Sequence, residues 1–438
     1  MFTIVNTWSD LSSDARATLL QRPALKDHAD INAEAANIIA AVRKFGDTAL
    51  YDFATQFDGC TLDQLKISEE EIDAAEAALS LDAKAAINVA IANVRRFHQA
   101  QLPSDIDVEI GPGIRCERVS QPIDAVGLYV PAGSAPLPST AIMLAVPAAI
   151  AECPQRILCT PPDKQGKVNA ATLVAARRSG IMDIFKVGGA QAIAAMAYGT
   201  ETIPKTDRIF GPGSARVTAA KTLVAGDPNG ASIDFPAGPS EVLVIADACA
   251  DPAFVAADLL SQAEHGEDSQ VILLTDSRSL AEATVREVKR QLHSLPRQEI
   301  ARRALKSGRV VLTGDIATAI EISNNYAPEH LILQIENART VLPQVRNAGS
   351  VFLGPWAPES VGDYCSGTNH VLPTYGAARS YSGLGVDQFM RQMTVQELSG
   401  EGLRSLAPAV LELSALEGLD AHGEAVRIRL RDAARKAG

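Results

Sequence analysis

From about Asp124 onward, short apolar runs alternate with alanine-rich stretches. The runs at 125–130, 156–159, 183–187 and 208–210 are short and mostly apolar and read as strands. Between them, 169–179 and 191–198 have the composition of helices. A second set of runs follows at 241–245, 270–274, 309–312 and 350–353. Strands of this kind interleaved with helices predict α/β folding with parallel sheets covered on both faces. The Pro/Gly-rich seam at 234–240 separates the two sets and is the best internal boundary. Upstream, 31–57 and 68–100 read as long amphipathic helices, with Ser68 and Glu71 spaced as a capping box. Past Gln388 the pattern turns helical, at 395–406 and 407–416, and such tails often pack on another subunit.

Composition narrows the function classes. A chain of 438 residues, 47% hydrophobic and 21% charged, is a folded soluble protein with room for two or three domains. A formal charge of −12 without a dense Lys/Arg cluster argues against a nucleic-acid partner, whose phosphates need a basic face. The longest weakly polar run, 141–151, is interrupted by Pro147 and is far short of the roughly 20 residues that span a bilayer, so no membrane helix is expected. Residues 1–7 carry no basic start and no sustained apolar stretch, which points to a cytoplasmic address. Six cysteines with no Cys-x-x-Cys pair fit a reducing compartment and do not make a zinc ribbon.

Several segments have the residue types that chemistry needs. Pro328-Glu329-His330 sets a carboxylate beside an imidazole, with ordinary pKa values of about 4.3 and 6.5, a pairing suited to two successive proton transfers or simply to a solvated loop. Asp251 and Pro252 look like a helix start and Gly266 like its stop. Gln262 and His265, three apart near that end, leave the same face and are able to hold one ion; a polar helix end is the alternative. The segment 360–370, rich in small polar residues and containing Asp363 and His370, reads as a ligand loop after a strand or as a plain Asx/Ser turn. Glu417 and His422 lie in the tail and, taken alone, are surface residues. Glycine-rich loops at 188–191, 211–214 and 238–241 border strands, where backbone N–H groups approach phosphates, but none matches G-x-G-x-x-G, and turn glycines explain them equally.

Taken together, these blocks resemble the histidinol dehydrogenase family. The resemblance rests on Gly127-Leu128-Tyr129-Val130-Pro131, Val187-Gly188-Gly189-Ala190-Gln191, Phe235-Pro236-Ala237-Gly238-Pro239-Ser240-Glu241, Gln262-Ala263-Glu264-His265-Gly266, Pro328-Glu329-His330 and Ser366-Gly367-Thr368-Asn369-His370, in one order over nearly the whole chain. It implies two Rossmann-like parallel-sheet domains, the second inserted in the first. Residues 1–20 would form a short N-terminal appendage, 21–128 with 240–383 the first domain, carrying zinc and catalytic residues, and 129–239 the second, on the NAD side. Residues 384–438 would be a helical tail packing on the partner of a homodimer.

The same resemblance implies oxidation of L-histidinol to L-histidine through an aldehyde, the last step of histidine biosynthesis, with two NAD⁺ reduced in turn and one Zn²⁺ per subunit. Gln262, His265, Asp363 and His422 become the zinc ligands, His422 coming from the partner chain. His330 becomes the general base for the hydride steps, and Glu329 activates the water that hydrates the aldehyde. Ser240, His370 and Glu417 contact the substrate, alongside His330 and the zinc ligands, and Tyr129, Gln191 and Ser214 contact NAD. Ser214 stands where many relatives have Asn, and its hydroxyl is shorter and offers one donor instead of two. Cys116 and Cys153 lack a context that lowers a thiol pKa and are expected to be inert core thiols. Two other classes compete with this reading. A zinc hydrolase with Glu329 activating metal-bound water explains the ligands but leaves the paired α/β sets without a purpose. In a non-catalytic dinucleotide-binding protein, Glu329 and His330 would be dispensable.

Overall fold

The computed structural model describes residues 5–22, 28–132, 135–235 and 238–437. The N-terminal Met1 to Ile4 and the Pro236-Ala237 step of the seam, both used in the sequence reading, lie outside the described residues. In chain order the strands are β1 (Val5–Thr7), β2 (Ile106–Gly111), β3 (Ile114–Pro122), β4 (Ala125–Tyr129), β5 (Gln155–Thr160), β6 (Asp183–Lys186) and β7 (Arg208–Phe210). They continue as β8 (Ser232–Ile233), β9 (Glu241–Ala246), β10 (Gln270–Thr275), β11 (Arg309–Leu312), β12 (His330–Gln334), β13 (Ser350–Leu353) and β14 (Met390–Leu398).

Two parallel sheets and one antiparallel sheet result. The first has six strands in the order β1-β11-β10-β9-β12-β13, the second five in the order β6-β5-β4-β7-β8, and the third is β14-β3-β2. Every residue of β4, β9, β10 and β12 is buried, as strands covered by helices on both faces must be. The α/β class expected from the apolar runs is the fold observed. The chain divides into two compact units, one of Met1–Gln101 with Ile123–Phe389, holding both parallel sheets, and one of Leu102–Pro122 with Met390–Gly438, holding the antiparallel sheet and the last two helices.

The differences from the sequence reading have local causes. The expected helix at 31–57 is broken by Gly46, whose φ of +54° suits glycine, into His28–Phe45 and Asp47–Phe53. The expected helix at 68–100 is likewise two, Glu69–Ala78 and Leu81–Gln99, because Ser80 accepts from the Ala83 N–H and starts a new one. The Ser68–Glu71 capping box is present in both directions. Val5–Thr7, within the segment expected to be an appendage, pairs in register with Val310–Leu312 as an edge strand. Residues 395–398 are not helical: Met390–Leu398 pairs along its whole length with Ile114–Pro122, and a partner so distant in sequence overrides local helix preference. The tail helices are Gly400–Leu416 and Asp420–Ala437. Cys153 is buried as expected, but Cys116 is only half-buried, on β3. Among the described residues no single helix is long and apolar enough to cross a membrane.

Candidate active site

The site begins where helix Ile316–Tyr326 stops. Ala327 caps it in the left-handed region at φ +54°, Pro328 turns the chain, Glu329 follows, and His330 is the first residue of β12. Sheet pairing sets His330 opposite Val242, so β12 starts beside Glu241, the first residue of β9. The backbone of Glu241 therefore meets both members of the Glu-His pair. Its N–H donates to Glu329 Oε2 at 2.8 Å, and its carbonyl accepts from His330 Nδ1 at 3.1 Å. A carbonyl only accepts, so Nδ1 carries a hydrogen and Nε2 is the ring nitrogen that exchanges a proton with the pocket. Nε2 is buried without a hydrogen-bond partner.

Helix Pro252–Ala263 brings Gln262. Asp251 caps its N-terminus, accepting from the Ala253 N–H at 2.7 Å, and Pro252 fills the first position, as expected. The helix closes at Ala263, so His265 stands on the turn beyond it and not within the last helical turn. Asp363 differs more from expectation. The segment read as a loop starts as a short helix, Glu359–Tyr364, which sets Glu359 and Asp363 four apart on one face. Ligand atoms of His265, Glu359 and Asp363 all lie within 4.8 Å of one another. Glu359, 1% exposed, was missed by the sequence reading. Its signal was the four-residue spacing to Asp363, which is informative only once the segment is known to be helical.

His370 is oriented from both sides, its Nδ1 donating to the Asp363 carbonyl at 2.8 Å and its Nε2 lying 3.2 Å from the Thr140 hydroxyl. With Ser240, these residues line one cavity of about 660 Å³, a size suited to small-molecule ligands. Its other end is the Gly211-Pro212-Gly213-Ser214 loop after β7, where Ser214 precedes helix Ala215–Ala225 and makes no side-chain cap. Gly211 is obligatory there: its φ is +125°, and a Cβ would fall 2.1 Å from the Tyr129 carbonyl oxygen. The loop is pinned by Asp234, which accepts from the Gly211 N–H at 2.8 Å, and by buried Lys221, which donates to the Gly211 carbonyl and pairs with Asp234.

The cavity joins unlike edges. The Gly211–Ser214 end comes from a carboxyl end of the five-stranded sheet, the usual position for ligands in open α/β sheets. Glu241 and His330 come from amino ends of the six-stranded sheet. Tyr129 and Gln191 do not line the cavity. Both are buried; the Tyr129 hydroxyl accepts from the Gly189 N–H at 3.0 Å, and burial pushes its pKa up to about 12. Glu417 and His422 lie on the other compact unit, both exposed, at the end of helix Gly400–Leu416 and the start of helix Asp420–Ala437.

The cluster around His330 is strongly coupled. Glu329 Oε2 and Glu359 Oε1 lie 3.7 and 3.9 Å from Nδ1, and Asp363 Oδ1 lies 3.7 Å from Nε2, distances of charge attraction. Burial pushes Glu329 up to about 8 against the pull of His330, and does the same for Glu359. Burial disfavours the His330 imidazolium, but Glu359, Glu329 and Asp363 outweigh it and raise its pKa well above 6.5. Asp363 is pushed up by burial, yet His330 outweighs that and holds it below the usual carboxylate value. His370 is lowered by burial. Imidazole and carboxylate atoms converge here, with the Gln262 amide among the residues lining the same cavity, a donor set suited to a borderline cation such as Zn²⁺.

The family model for histidinol dehydrogenase matches residues 20–430. A histidinol dehydrogenase of Vibrio parahaemolyticus is 52% identical over 430 residues, covering 98% of each chain. One of Photobacterium profundum is 53% identical, covering 98% of this chain and 96% of its own. The crystal structure of histidinol dehydrogenase from Elizabethkingia anophelis superposes with a TM-score of 0.94 at 45% identity, covering 98% of both chains.

Proposed function

Because the chain belongs to the histidinol dehydrogenase family of oxidoreductases, we propose that it oxidises L-histidinol to L-histidine through L-histidinaldehyde, reducing two NAD⁺ in turn, as the last step of histidine biosynthesis. The observation that carries this reading is one cavity with the Glu329-His330 pair and a cation-binding donor set at one end and a glycine-rich loop before a helix N-terminus at the other. A hydrolase built on the same donors leaves the loop end of the cavity without a use.

Gln262, His265 and Asp363 would hold zinc, with His422 supplied by the partner of a homodimer. The fit is supported by the close grouping of carboxylate and imidazole atoms and by the unpartnered buried His330 Nε2 and Glu359 Oε2. When bound, zinc would orient the substrate and NAD⁺ would accept the hydride. The Gly213 and Ser214 backbone N–H groups would receive the cofactor phosphates, and Tyr129, whose hydroxyl accepts from the Gly189 N–H, and Gln191 would belong to the same NAD side.

His330 Nε2 takes the alcohol proton as hydride leaves the carbinol carbon. Against the effect of burial, three carboxylates raise its pKa, and a cation held by Asp363 would offset part of that pull and favour the neutral form that a base requires. Glu329, with Oε2 committed to Glu241, uses its other oxygen to take a proton from the water that adds to the aldehyde; a pKa near the working pH suits that transfer. His330 then serves the second hydride step from the hydrate. Ser240, His370 and the partner's Glu417 would hold the substrate's polar ends. The cytoplasmic address, the inserted arrangement of 129–239 within 21–128 and 240–383, and the exchange of the 384–438 tail belong to the same reading.

Incubation with L-histidinol and NAD⁺, followed at the NADH absorbance, tests it. Two NADH per histidinol are expected; absence of NADH overturns the assignment.

A further inference from the structure

Gln262 is fully buried, and the inner end of its amide faces two groups that only accept hydrogen bonds in their ordinary forms, the Glu241 carbonyl and the Glu359 carboxylate. The end that faces them is therefore the nitrogen. Nε2 donates to Glu241 O at 3.2 Å and to Glu359 Oε1 at 3.1 Å, which turns Oε1 toward the cavity that Gln262 lines. An amide oxygen ligates a cation and an amide nitrogen does not. The orientation of this side chain thus decides whether it is a ligand at all.

We propose that Glu359 is a positioning residue that fixes the Gln262 amide with its oxygen toward the cation. The inference rests on the reading of Gln262 as a zinc ligand. The carboxyl group matters for a specific reason: its Oε1 accepts from the Gln262 amide and adds a second inward hold to that of the Glu241 carbonyl, whereas an amide at position 359 is able to turn its NH₂ toward Gln262 and leave that carbonyl to hold it alone. Glu359 is suited to this role by its burial and by its place one helical turn before Asp363, so that a single short helix sets one ligand directly and a second through its neighbour.

The test is zinc affinity by chelator competition on metal-stripped, full-length protein, with folding followed by circular dichroism. E359Q should bind zinc about 10- to 100-fold more weakly than the wild type, the usual effect of losing a ligand's outer partner, and Q262A, which loses the ligand itself, at least as weakly. The double variant Q262A/E359Q should bind as Q262A does, because Glu359 acts only through Gln262. Wild-type affinity in Q262A would overturn the ligand reading itself. Weak binding in Q262A with wild-type binding in E359Q would overturn the positioning role alone, as would a further loss in the double variant. Should E359Q fold poorly, E359D decides in its place: it keeps an acceptor but draws it back by one methylene, so weakened binding supports the role and wild-type binding overturns it.

Discussion

Arg22 grips the Glu241 carboxylate with two bonds, Nε to Oε1 at 2.5 Å and Nη2 to Oε2 at 2.9 Å. The same guanidinium lies 3.9 Å over the Tyr326 ring and donates to the Tyr326 carbonyl at 2.9 Å. It therefore ties the first residue of β9 to the helix end that precedes Pro328, the two pieces of backbone that hold Glu329 and His330. The Glu241 side chain is 1% exposed, so removing its partner leaves a buried charge uncompensated. R22A should lose about 3–5 kcal/mol of stability, with R22K losing less because charge is kept and only the fork is lost. Denaturant titration measures both; an R22A loss as small as that of a surface ion pair would mean that Glu241 is satisfied by other groups.

His330→Asn should slow alcohol oxidation by about 10²- to 10⁴-fold, the usual contribution of a general base, with zinc content unchanged. Turnover and metal analysis on the same preparation check this. Unchanged turnover removes His330 from the chemistry, and lost zinc makes its role structural.

The raised carboxyl of Glu329 gives a pH dependence with a definite sign. Its pKa is about 8 in the folded chain against an ordinary value of 4.5, so the folded form binds that proton more tightly. The stabilisation is complete below about 4.5 and is lost as pH rises through about 8, with a slope of at most about 1.4 kcal/mol per pH unit for one proton. The unfolding free energy of metal-free protein should fall between pH 5 and 8, and E329Q should flatten that fall. An equal slope in E329Q would mean that the carboxyl is not held neutral by its surroundings.

Mixing H422A chains with H330N chains should restore activity that neither homodimer has, because one of the two shared sites in each heterodimer is then intact. Activity assayed after subunit exchange decides; no recovery argues against a site completed by the partner's tail.

The sequence made the parallel-sheet class legible because β4, β9 and β10 are each built on a continuous apolar run, a pattern that needs no partner to be recognised. It concealed β12, whose first residue is a histidine following Pro328 and Glu329, so that the strand start looked like a turn. It concealed β14 for another reason: Met390–Leu398 is strand only because Ile114–Pro122 lies alongside it, and that pairing is invisible in a local window. Of the residues that the motifs single out, Ser214, Ser240, Gln262, His265, Glu329, His330, Asp363 and His370 line one cavity. Glu359 escaped notice because its four-residue spacing to Asp363 carries meaning only in a helix. Tyr129 and Gln191 are buried and are not among the residues lining that cavity.

The backbone of a single residue, Glu241, acts as a mechanical reference for the site. The Glu241 backbone donates to Glu329 and accepts from His330 and Gln262, so three functional side chains share a single anchor. Thermal drift of that anchor carries all three by the same vector. Their separations from one another hold even while their distance to the opposite wall varies, as it must when ligands enter and leave. Two oxidations at one carbon reuse a single set of mutual distances, and a shared anchor keeps that set the same for both.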